Sequence, residues 1–130
     1  MNCPLRTLVA LAIAVSVPPT ALAAPRLSAE EEARNVTVAF FRSINERRYD
    51  ETCRLLSKGY YKKYRIPSRR HCVAGLRVGM MWSQEIEFRI TGIDADRRRA
   101  VVSATADGAA GRILLVRERG SFKVLELEST

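Results

Sequence analysis

SAEEEARNVTVAFFRSINERRYDETCRLLS, residues 28–57, is the stretch whose reading decides the fold. Ser28-Ala29-Glu30-Glu31 forms a capping box, in which the Ser hydroxyl accepts from the Glu31 amide and the Glu31 carboxylate returns to the cap amide. Three consecutive glutamates in the first turn also oppose the positive end of the helix dipole. Ala33, Val36, Phe40 and Ile44 then recur at helical spacing, and Thr37 and Phe41 widen the stripe. The pattern predicts one long amphipathic helix over 29–47. Tyr49-Asp50 breaks it. Asp50 is positioned to cap a second, shorter helix with Cys53 third and Leu55 and Leu56 on its apolar side, and Gly59 reads as its left-handed terminator.

Beyond Gly59 the segment Tyr60–Pro67 reads as irregular. Ser68 offers a cap for a third helix over about 69–79, with Cys72, Val73, Leu76 and Met80 on one side. After Trp82 the period changes from helical to alternating. Ile86, Phe88 and Ile90 alternate with Glu87, Arg89 and Thr91 as in a half-buried strand. Asp94–Arg97 reads as a turn, 99–106 as a second strand and Gly108–Gly111 as another turn. A third strand follows over 112–119, Gly120-Ser121 suits a primed hairpin turn, and 122–128 closes the meander. The expected class is α+β: a long N-terminal helix and two shorter helices packed on a curved four-stranded antiparallel sheet.

Val-Ala-Phe-Phe-Arg-Ser-Ile-Asn (38–45), then Tyr-Asp-Glu-Thr-Cys-Arg-Leu-Leu-Ser (49–57), then a second Cys ahead of a four-strand meander, resembles the small exported members of the nuclear-transport-factor-2-like superfamily, the cystatin-like cones that include ketosteroid-isomerase-like and polyketide-cyclase-like proteins. The resemblance covers 29–130. It implies a cone, a strongly curved sheet wrapped around the long helix with a pocket opening between them, and a homodimer through the sheet. It implies no activity, because related cones serve as isomerases, dehydratases, cyclases, transport adaptors and inert assembly domains.

Residues 1–23 have the anatomy of a secretory signal peptide. Arg6 charges the n-region, Leu8–Val17 is an apolar run, and Ala21-Leu22-Ala23 gives the small-x-small cleavage site. The apolar run is about half of the roughly 20 residues a membrane-spanning helix needs, and Pro18-Pro19 ends it. Cleavage after Ala23 leaves 24–28 as a short flexible lead and 29–130 as a single domain. The expected location is secreted or extracytoplasmic, in a periplasm or at a cell wall. Thiols that reach an oxidising compartment pair, so Cys53 and Cys72 are expected to form a disulfide. By the chain-entropy estimate such a loop contributes roughly 3 kcal/mol.

A catalytic acid or base would have to sit mid-strand on an apolar face, where desolvation could tune its pKa. The apolar face of the first strand offers Ile86, Phe88 and Ile90. The second presents either Ala100, Val102, Ala104 and Ala106 or Val101, Ser103 and Thr105, and no choice brings a carboxylate or imidazole inward. Glu126, between Leu125 and Leu127, is the exception to follow, although an outward charge alternating with core leucines accounts for it. His71 lacks an orienting carboxylate nearby in sequence, and a Cys in a disulfide is no thiolate. Neither a metal nor a cofactor is expected, since one His and two Cys match no zinc spacing. The small side chains of the second strand either let a helix approach closely or leave an internal void. Phe40, Ile44, Met80, Trp82 and Phe88 are the expected lining of that void.

The chain carries 22 Lys+Arg against 14 Asp+Glu, a formal net charge of +8, and no acidic residue occurs from Thr52 to Gln84. Arg54, Lys58, Lys62, Lys63, Arg65, Arg69 and Arg70 are candidate anion-binding residues in that segment, which continues to Arg77 and interleaves with Tyr60, Tyr61 and Tyr64. Such a patch attracts anionic surfaces such as membranes or wall polymers, or it is a solvated face with tyrosines packed on the helices. Export argues against nucleic acid as the partner. The sequence reading is therefore an exported, non-enzymatic cone domain that binds a small apolar ligand or a protein partner. Its alternatives are an isomerase/cyclase-type enzyme using the cone pocket and anionic-surface association through 54–77. Mass spectrometry of the unreduced protein is expected to give a Cys53–Cys72 cross-linked peptide pair and an intact mass lower by two hydrogens. Two free thiols would contradict the pairing.

Overall fold

The computed structural model describes residues 26–130; the export signal read at 1–23 and the start of the lead lie outside the described residues. Four helices, α1 (Ala29–Asn45), α2 (Tyr49–Arg54), α3 (Lys58–Lys63) and α4 (Arg69–Gly79), precede four strands, β1 (Phe88–Ala95), β2 (Arg99–Ala106), β3 (Ala109–Glu118) and β4 (Ser121–Ser129). The strands form one antiparallel meander in the order β1-β2-β3-β4. This is the α+β cone expected from the sequence, with one helix more than the two short ones read there.

Helix α1 starts as its cap dictates, with Ser28 Oγ accepting from the Glu31 amide at 3.1 Å. It buries Ala33, Thr37, Phe40, Phe41 and Ser43. The buried Thr37 hydroxyl donates to the Ala33 carbonyl at 2.9 Å, which satisfies it inside the apolar stripe. The helix ends two residues before 47 because Arg47 turns left-handed, with φ 57. The Arg47 and Arg48 amides then close back on Ile44 and Ser43, a Schellman ending with Arg where glycine is commoner. Arg47 occupies that position usefully. Its guanidinium donates to the Met80 and Ser83 carbonyls, each at 3.3 Å, and so ties down the segment that leads from α4 to the sheet.

The second helix begins two residues earlier than expected. Arg48 occupies its cap position without a side-chain hydrogen bond, so Asp50 lies inside the first turn rather than capping it, and Cys53 is fifth rather than third. Thr52 Oγ1 meets Ser43 Oγ at 2.7 Å, a buried hydroxyl pair that docks α2 on α1. Gly59 terminates nothing. It lies in α3, which Ser57 caps by accepting from the Tyr60 amide at 3.0 Å, so the first part of the supposedly irregular segment is helical. A Cβ on Gly59 would come within 2.7 Å of Leu125 Cδ1, so the missing side chain is what lets α3 press on β4. Helix α3 ends on Arg65 at φ 53.

The turns are shorter than expected and shifted. Both tight hairpins place left-handed residues at their two central positions: Asp107 at φ 50 with Gly108 at φ 80, and Arg119 at φ 50 with Gly120 at φ 82. That geometry is the primed turn that matches strand twist. It puts the glycine second, so the turns are 107–108 and 119–120 rather than 108–111 and 120–121. Between β1 and β2 the loop is 96–98, not 94–97. There Asp96 accepts from the Arg98 and Arg99 amides at 2.7 and 2.9 Å. Those amides, Arg99 first, hold its carboxyl below the usual aspartate range.

Two bulges curl the sheet. The β1–β2 register slips between Ile90 and Gly92, and the β3–β4 register between Leu114 and Leu115. An extra residue on one strand bends it and increases its twist. It also changes which residues face the helix. Phe88 and Ile90 before the first bulge, and Ile93 and Ala95 after it, all pack against the core. Strand β1 therefore extends four residues past the 86–91 alternation expected, because that alternation is interrupted rather than ended.

The core lies between α1 and the inward face of the sheet, where Ala100, Val102, Ala104, Ile113, Leu115, Phe122 and Val124 are buried. The outer edge of β4 is covered by the chain before α3. The Val124 amide donates to the Leu55 carbonyl at 2.7 Å, and its carbonyl accepts from Ser57 at 2.8 Å, which leaves that stretch of edge unavailable for pairing with another chain. At the other side, the Asn45 side chain donates to the Ile86 carbonyl at 2.9 Å and accepts its amide at 2.7 Å. Replacing Asn45 with Ala should therefore cost about 1–3 kcal/mol, seen as a lower urea midpoint with unchanged slope; no change would show that this clamp is dispensable.

Candidate functional site

The disulfide joins Cys53 on α2 to Cys72 on α4, with the Cα atoms 6.1 Å apart. Both residues are buried, at 1% and 5% exposure. The pair fixes α2 against α4 at the side of the cone. A disulfide points to an oxidising, non-cytoplasmic compartment, and no helix among the described residues is long and apolar enough to cross a membrane.

The five residues expected to line one void are scattered. Phe40 is buried in the core, and Trp82 is 90% exposed. Phe88 stacks on Phe41 with ring centroids 4.7 Å apart. Ile44 and Met80 do meet, but in a crevice of about 30 Å³ shared with Asn45, Arg47, Tyr49 and Ser83. Trp82 is turned outward because α4 ends at Gly79 and the following segment crosses to the sheet outside the core, held by Arg47.

A half-open pocket lies elsewhere, where Phe41 of α1 meets the β2–β3 hairpin and the end of β4. It has a volume of about 230 Å³, with Phe41, Ala104, Ala106, Gly111, Ile113 and Leu127 among its walls. Of the small residues of β2, Ala104 and Ala106 are among its walls, while Ala100 is buried in the core. Gly111 is required there, since a Cβ would lie 2.8 Å from the Glu128 carbonyl oxygen. The two ionisable side chains of the lining, Arg112 and Glu128, form an ion pair with each other at 2.7 Å.

Glu126 is not in this cavity. The bulge on β4 pairs it with Leu114, on the face opposite the buried Ile113 and Leu115, and it forms an ion pair with Lys63. That contact, above all its hydrogen bond, raises the Lys63 pKa. The leucines beside Glu126 are not core residues as expected: Leu125 is half-buried against Gly59, and Leu127 is 42% exposed. His71 is exposed and its Nδ1 lies 2.7 Å from the Ser68 hydroxyl. Among the described residues no group of three His, Cys, Asp or Glu side chains could hold a metal ion.

The acid-free segment is resolved into two parts. Arg54, Lys58 and Arg69 converge on a groove of about 610 Å³, completed by Glu118, Arg119, Ser121 and Lys123 from the β3–β4 hairpin. Lys62, Lys63, Arg65 and Arg70 lie outside it. The sequence reading missed Arg119 and Lys123 because the acid-free run ends at Gln84, far from the hairpin in sequence. Their signal was local: two cations flanking a Gly-Ser hairpin.

Tyr60 and Tyr61 pack against the core, whereas Tyr64 is 47% exposed. Tyr60 and Tyr64 lie against each other with centroids 4.5 Å apart, and burial, then Tyr64, pushes the Tyr60 hydroxyl pKa up. Tyr61 donates to the Cys53 carbonyl at 2.9 Å. Burial raises its pKa, while Arg69 beside it works against that rise. Tyr61→Phe should remove about 1 kcal/mol of stability, measured by urea denaturation; an unchanged midpoint would mean that water replaces the bond without cost.

No family model matches the chain, and no curated protein matches it. Among solved structures, it is similar to the "Crystal structure of putative ketosteroid isomerase from Kribbella flavida DSM 17836", at 20% identity over 75% of this chain and 77% of that one, with a TM-score of 0.46. The assignment to an α+β cone rests on this chain's own helices and curved antiparallel sheet.

Proposed function

We propose that the chain is an exported, non-enzymatic cone domain that takes a small apolar ligand in the half-open pocket where Phe41 of α1 meets the β2–β3 hairpin. The observation that carries this reading is the wall chemistry of the cavity. Phe41, Ala104, Ala106, Ile113 and Leu127 present carbon, and the ionisable lining groups Arg112 and Glu128 neutralise each other. General acid–base catalysis needs a group free to exchange a proton with substrate at hydrogen-bond distance, and this lining supplies binding surface instead. Its volume, about 230 Å³, is below the roughly 300 Å³ at which drug-sized ligands begin to fit. The ligand class is therefore a compact apolar molecule or a single ring. The Cys53–Cys72 disulfide supports the exported part of the reading.

Methyl-labelled NMR with benzene or toluene as probe tests it. Saturable shifts are expected at the Ala104, Ile113 and Leu127 methyls, and Ala106→Leu, which fills the cavity from a half-buried position, should abolish them while the sheet resonances persist. Shifts that survive Ala106→Leu, or that cluster elsewhere, would overturn the assignment.

A further inference from the structure

The groove between the disulfide-tied helices and the β3–β4 hairpin is lined mainly by cations. Five cations, Arg54, Lys58, Arg69, Arg119 and Lys123, share it with one carboxylate, Glu118, and one hydroxyl, Ser121. The carboxylate is already engaged, since both Glu118 oxygens accept the Lys58 backbone amide, at 3.2 and 3.1 Å. Arg54 is paired with Asp50 at 2.8 Å, and Lys123 donates to the Arg54 carbonyl at 2.9 Å. Lys58, Arg69, Arg119 and Lys123 form no ion pair among the described residues. Four cations without an ion pair thus face one concavity, against the single carboxylate of Glu118.

Their placement is built into the fold. Arg54 follows Cys53 on α2, and Arg69 opens α4 three residues before Cys72, so the disulfide holds their helices at the groove together. Arg69 also lies against the Tyr61 hydroxyl. Arg119 is carried on the left-handed first position of a primed turn, a conformation that glycine would adopt more easily.

We propose that this groove binds a soluble anion carrying two or more phosphate groups. A single carboxylate would leave most of the charge uncompensated. Phosphate oxygens accept the forked donors of arginine in pairs and the point charge of lysine, and adjacent phosphates can engage cations from separate elements at once. The lining contains no apolar or aromatic side chain. That disfavours a nucleobase, which would stack on aromatic rings, and a lipid, whose acyl chain would need apolar surface. Tyr60 and Tyr64, which a base could have used, are packed on each other. The site is separate from the apolar cavity, and it stands whether or not that cavity is occupied.

Isothermal titration of the intact, oxidised protein with inorganic tripolyphosphate tests the proposal. Binding is expected to weaken with added salt. Joint substitution Lys58→Glu, Arg69→Glu and Arg119→Glu should reduce affinity at least about tenfold, the loss expected for one charge-assisted hydrogen bond. The same charge change outside the groove, Lys62→Glu, Arg65→Glu and Arg70→Glu, should have a much smaller effect. Arg119→Gly alone should weaken binding severalfold without loss of fold, because glycine suits that backbone conformation. Equal losses in the two triple variants would reduce the effect to net charge and overturn the site. So would no detectable tripolyphosphate binding, or binding only to phosphatidylglycerol vesicles.

Discussion

The close approach of α1 to the second strand is the constraint on which the rest of the molecule depends. The inward residues of β2 are Ala100, Val102 and Ala104, at 2%, 0% and 6% exposure. They share one core cluster with Ala33, Phe40 and Phe41 of the helix. Small side chains at the centre of a sheet let a helix sit deep, and depth requires the flanking strands to curl up around it. The bulges on β1 and β4, the two outer strands, supply that curl. Apolar side chains at interrupted spacing, Ile90 with Ile93 and Val124 with Leu127, are thereby brought to the same face.

Once the helix is seated, its two ends need anchoring. At its C-terminal end Asn45 treats Ile86 as a strand neighbour would, and Arg47 secures the preceding loop. At the N-terminal end Arg117 performs the matching role. It pairs with Glu32 at 2.6 Å, donates to the Gly120 carbonyl at 3.1 Å and to the Arg97 carbonyl, and covers the Phe122 ring with its guanidinium 4.2 Å from the centroid. One side chain thus joins α1 to both hairpin ends on that side. The short helices are held separately, by the disulfide and by the Ser43–Thr52 hydroxyl pair.

Much of this was legible residue by residue. Ser28, the 33-to-44 stripe and the change of period after Trp82 determine helix, then meander, because capping and periodicity are local properties. The errors are equally local in cause. Gly59 looked like a terminator because glycine serves two purposes, left-handed backbone and close approach, and only the position of Leu125 distinguishes them. Asp107 and Arg119 accept left-handed conformations that their identities do not announce. Strand β1 looked short because a bulge and a strand end interrupt alternation in the same way. The void was anticipated from β2 but lined with the wrong aromatics: Phe41 faces it and Trp82 does not.

The sequence by itself determined the class, the succession of helices followed by a four-strand meander and the oxidised cysteine pair, along with an excess of cations between Thr52 and Gln84. These follow from nearest-neighbour chemistry: caps, spacing, turn residues and charge. Only the tertiary structure decided which cations share a groove, since Arg119 and Lys123 reach Arg54, Lys58 and Arg69 across 50 or more positions of chain. It alone also placed the cavity, because the bulges decide which alternate residues point inward. Both depend on how far a sheet bends around a helix, a quantity set by packing over the whole core rather than by any local run of residues.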